Sequence, residues 1–117
     1  MRKVDIEALF DFTYWADRMV LAAAAAVSDE VFVRPVSATY RDLRGTLVHT
    51  LDVEGSWRRR LQGEPKAVWD VSLSVEAYPT IAPLAADWAQ DEAEMRAWIG
   101  GLDDEALVAI QDLGDGD

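Results

Sequence analysis

Apolar positions recur at helical spacing along three stretches of the chain. After Asp5, a residue suited to capping a helix start, Ile6, Leu9, Phe10 and Thr13 set a period of three to four residues that continues to Val27. Within it the alanine run 22–26 is strongly helix-forming, and its small side chains let a neighbour approach closely. Pro35 interrupts the connection that follows. Residues 39–42 (Thr-Tyr-Arg-Asp) resemble a capping box with Asp in place of Glu, and they predict a second helix over 40–61. Leu43, Leu47, Leu51 and Leu61 line one stripe of it, and Gly63 and Pro65 end it. Thr80 caps a third helix, with Pro83 in the first turn, where a missing N–H costs little. Ile81, Leu84, Trp88, Met95, Trp98 and Ile99 give it the cleanest amphipathic pattern in the chain, as far as Gly100-Gly101.

Between the second and third helices, 66–79 reads as a surface crossover pinned to the bundle by Trp69, and 103–110 adds one or two short turns. Three amphipathic helices and a long crossover predict an all-α, up-and-down bundle, a single domain over 1–117 with helices near 5–27, 40–61 and 80–100. A fourth helix would normally fill the remaining side. The first helix is apolar nearly all round, through Phe10, Phe12, Trp15, Met19 and Val20, more than one stripe needs. An uncovered apolar groove of that kind predicts a homodimer.

Composition narrows the function classes. Half of the 117 residues are hydrophobic, five of them Trp, so there is material for a core. The formal net charge of −11 disfavours nucleic acid as a partner, since binding phosphate needs Lys and Arg in excess. Basic residues concentrate in the middle third and acids after Pro79, which reads as complementary helix faces within one bundle. The absence of cysteine excludes disulfides and thiolate chemistry. Residues 20–27 resemble a signal-peptide core, but the acids before them outweigh the bases, and no apolar run approaches the ~20 residues of a membrane span. A cytoplasmic protein without a membrane partner is expected.

His49 is the one histidine. At about 100° per residue it falls roughly 150° from the leucine stripe, beside Thr46, Val53 and Ser56. That makes it a surface histidine, or one facing a second, wetter cleft. Asp52 lies one turn on, where a carboxylate could orient an imidazole or share a cation. Glu54 instead falls inside the stripe, where a carboxylate is costly unless paired. It is either a ligand-binding group or, preferably, one half of a buried pair with an Arg or a Trp N–H. Arg58, Arg59 and Arg60 point three ways and suit a helix C-terminus better than a phosphate site.

Taken together, Tyr14-Trp15-Ala16-Asp17, the segment Thr46-Leu-Val-His49-Thr-Leu-Asp-Val-Glu54 with Trp57, Leu61-Gln-Gly-Glu64, Pro79-Thr80 and the stretch from Trp88 to Leu102 resemble the DinB/YfiT-like family of bacterial four-helix bundles. The resemblance covers essentially the whole chain. It implies a zinc or nickel site of three histidines, one on the second helix and a pair on the fourth, used by some relatives in transfer or isomerisation of low-molecular-weight thiols, or in hydrolysis. His49 matches the first ligand, and the other two have no counterpart. One imidazole is not a catalytic site, which needs about three protein ligands. The expectation is a bundle of this family with His49 as sole metal candidate, possessing no catalytic residues of its own unless another chain completes the site, and with room for a small-molecule ligand.

Overall fold

A computed structural model describes residues 2–35 and 42–111. Its long helices are α1 (Lys3–Ala25), α3 (Leu43–Leu61) and α5 (Ile81–Gly100); α2 (Asp29–Phe32), α4 (Lys66–Trp69) and α6 (Asp104–Gln111) are short, and Val75–Ala77 forms a 3₁₀ turn. Directions follow from the contacts. Asp11 meets Arg96 while Asp17 meets Trp88, so α5 runs antiparallel to α1. Glu54 meets Trp88 and Arg58 meets Asp91, so α5 runs parallel to α3. The long crossover makes that parallel return possible.

Helix starts differ from the expected ones for local reasons. α1 begins at Lys3, and Asp5 sits inside its first turn, where its carboxylate accepts the Arg2 backbone N–H at 3.0 Å. There it satisfies a donor the helix leaves open. α3 opens at Leu43 rather than 40, because Asp42 has extended backbone and accepts the Gly45 N–H at 2.6 Å. The expected Thr39 cap lies outside the described residues. The connection after α1 holds a short helix that the pattern missed, capped by Ser28, whose hydroxyl accepts the Val31 N–H. It places Phe32 in the core at 1% exposure.

The core has two apolar clusters. One gathers Ala24, Phe32, Leu47, Val48, Leu51, Tyr78, Leu84 and Trp88 where the end of α1 meets the starts of α3 and α5. The other joins Tyr14, Met95 and Ile99 between the start of α1 and the end of α5. Burying each such large side chain contributes about 1.5–3 kcal/mol. Between the clusters lies a polar level formed by Asp17, Glu54, Arg58 and Asp91, described below.

Besides the burial of Tyr78 in the core, polar contacts tie the crossover to α3. Ser56 Oγ donates to the Trp69 carbonyl at 2.6 Å, and the Arg60 guanidinium lies 5.1 Å from the Trp57 ring and 5.0 Å from the Trp69 ring. Nearer its end, the Leu73 N–H donates to Asp52 Oδ1. Among the described residues no helix is long and apolar enough to cross a membrane.

Candidate functional site

Residues 46–54 bring their two most conspicuous side chains out on different sides of α3. His49 is exposed, on the outer face with Thr46, Thr50, Val53 and Trp57. It lines a groove of about 450 Å³ together with Arg44, Val48, Asp52, Leu73 and Glu76. This is the wetter cleft that the helical wheel allowed.

The carboxylates around His49 each accept a hydrogen bond from elsewhere in the chain. Asp42 caps α3, Asp52 accepts from Leu73, and Glu76 accepts from Ser74 Oγ at 3.2 Å. Arg44 brings a guanidinium into the same groove, its Nε buried without a hydrogen-bond partner. A fixed positive charge opposes a divalent cation there. Among the described residues, no group of three or more His, Asp or Glu side chains could hold a metal ion. The residues present therefore do not fit the three-histidine centre that the family resemblance implies.

Glu54 turns inward. Trp88 lies on α5 with 3% of its surface exposed, and its Nε1–H donates to both Asp17 Oδ2 at 3.2 Å and Glu54 Oε1 at 3.4 Å. Two carboxyl groups, one from α1 and one from α3, thus converge on a single N–H and stand close enough to interact with each other. Burial, followed by the neighbouring Asp17 charge, pushes Glu54 up to about 8, and burial also raises Asp17. One proton is therefore held by the pair at pH values where ordinary carboxyl groups are ionised. Sequence reasoning reached Glu54 and the choice of a Trp N–H as partner. It missed Asp17, although the four-residue motif 14–17 contained it.

One turn along, the same helix makes a different polar contact. Arg58 is 8% exposed; its Nε lies 2.8 Å from Asp91 Oδ1, its Nη2 lies 2.8 Å from Glu94 Oε2, and its Nη1 donates to Gln62. The basic second helix thus faces the acidic third within one chain, as the charge distribution suggested. Tyr14, buried nearby, stacks on Phe10 with centroids 5.8 Å apart and has Arg96 over its ring at 5.1 Å. Burial, with the Asp91, Glu54 and Glu92 charges behind it, raises the Tyr14 hydroxyl pKa.

Beyond Asp17 a cleft of about 490 Å³ opens between α1 and α5, walled mainly by Leu21, Ala85, Ala89, Ala93 and Trp88. Arg18 and Glu92 close its rim, Arg18 Nη1 donating to both Glu92 oxygens at 3.0 and 3.1 Å.

Three long helices packed up-down-down, with a lone outward histidine on the second of them, define an all-α bundle without a cluster of metal ligands among the described residues. The chain belongs to the DinB family, whose model matches residues 1–112. Comparison with curated proteins and with solved structures finds no match.

Proposed function

We propose that this DinB-family chain serves as a homodimeric, cytoplasmic interaction or small-ligand module, and is not a metalloenzyme in single-copy form. The observation that carries the reading is the placement of His49: one imidazole on an outer face, with an arginine and already bonded carboxylates as its neighbours. A catalytic zinc or nickel centre takes about three protein ligands and an open position.

The dimer rests on exposed apolar side chains of two helices. On α1, Leu9, Phe12, Met19 and Val20 recur at helical spacing and are exposed, Phe12 at 66%. On α3, Val53 and Trp57 are exposed, Trp57 at 53%. Soluble monomers rarely leave a contiguous apolar patch of more than a few hundred Å² in water, and a two-fold pairing covers the same patch on both copies at once. Sedimentation at low micromolar concentration is expected to give a species near twice 13.0 kDa. Phe12→Glu or Met19→Glu shifts it to monomer, because each copy then carries a charge into the contact. A compact wild-type monomer of 13.0 kDa overturns the dimer.

A second reading has one observation in its favour. His49 shares the outer face of α3 with Val53 and Trp57, so a copy that covered those residues would also cover the imidazole. In that case ligands from the second chain would complete a metal site for transfer, isomerisation or hydrolysis of a small thiol-related substrate. Retention of metal by the dimer, and its loss in Phe12→Glu, separates this reading from the first.

A further inference from the structure

We propose that Asp17 and Glu54 form a proton-held latch that docks α1 onto α3 and α5, so that α1 is gripped while the pair shares a proton and released when both carboxyls are ionised. Three helices meet at this point: Asp17 from α1, Glu54 from α3 and Trp88 from α5, with both carboxyls on the one indole N–H. The other ion pairs of α1, Asp11 to Arg96 and Arg18 to Glu92, go to α5 and leave α3 aside.

Among the described residues no ion pair joins either carboxyl to a cation. From α1, Tyr14 and Arg18 are the nearby titratable and charged groups, and Arg18 is committed to Glu92. From α5, Asp91 and Glu92 add further negative charge, Asp91 engaged with Arg58 of α3 and Glu92 with Arg96 as well as Arg18. A proton is therefore the counter-charge available, and removing it leaves two like charges in partial burial. Asp17 also lines the cleft between α1 and α5, which gives solvent a route to the proton.

The sign follows from the raised folded-state affinity for the proton. Glu54 sits at about 8 in the fold against an ordinary value of 4.5. Its contribution to stability is complete below 4.5 and is lost as pH rises through about 8.

The test compares thermal melting of wild-type protein with Glu54→Gln and Asp17→Asn from pH 4 to pH 9, with pH 6 and pH 9 as the deciding pair. An amide at 54 keeps a donor toward Asp17 and cannot ionise. Wild type is expected to lose about 5 °C more than either variant between those pH values, a readable shift in a chain of this size. Should one variant fail to fold, the other makes the same comparison. Melting temperatures that change in parallel for wild type and variants overturn the latch. A divergence confined below pH 5 does so equally, because the pair would then titrate as ordinary carboxylates.

Discussion

The outer and inner faces of α3 carry residues from one short segment, and they have opposite electrostatic fates. His49, on the outer face, is exposed among groups that already have partners. Glu54, on the inner face, meets Asp17 and Trp88, and Arg58 one turn on meets Asp91 and Glu94. The family motif contains both His49 and Glu54, and the resemblance gives a metal-ligand role to the outer one alone. The inner ones are where burial makes charge energetically consequential. A motif identifies residue types and spacing, but the chemistry depends on which partners the other helices bring.

The inner face itself contains two solutions to buried charge, and substitutions separate them. Arg58→Met strands Asp91, which is 7% exposed, and is expected to destabilise by about 3–5 kcal/mol in urea unfolding. A loss below about 1 kcal/mol would show that water reaches and solvates the stranded Asp91.

Glu54→Ala is expected to cost only about 1 kcal/mol at pH 6, because Asp17 keeps the Trp88 N–H and loses only its contact with a neutral Glu54. The cost diminishes toward pH 9, where the wild-type pair is ionised. That is well under the loss expected had Glu54 paired with an arginine, and a cost equal to that of Arg58→Met would erase the distinction between the two sites.

His49→Ala is the smallest effect, within about 0.5 kcal/mol in the same assay. A larger loss would mean that the imidazole is held by contacts its exposed position does not supply.

The helices themselves were legible from periodicity. The leucine stripe of α3 and the apolar face of α5 needed only the helical repeat, and both pack as that repeat requires. The wheel also set Glu54 inward and His49 outward. Three features were less accessible. Ser28 followed by Asp29 and Glu30 was a readable cap with acids in its first turn, passed over because α2 is only four residues long. The capping role of Asp42 was obscured by a competing pattern three residues earlier. Asp17 could not be assigned at all, since its importance arises from Glu54 and Trp88, far away in the chain, converging on it. Periodicity encodes the face of one helix; a shared proton requires the register between three.

The central claim, that one copy of this chain lacks a complete metal centre, is tested most directly by metal content. Wild type and His49→Ala, each dialysed after exposure to zinc or nickel and measured by elemental analysis, are expected to retain equally little, far below about one metal per chain. Near-stoichiometric metal in wild type that disappears in His49→Ala would contradict the account and make His49 a ligand in a site completed by other residues.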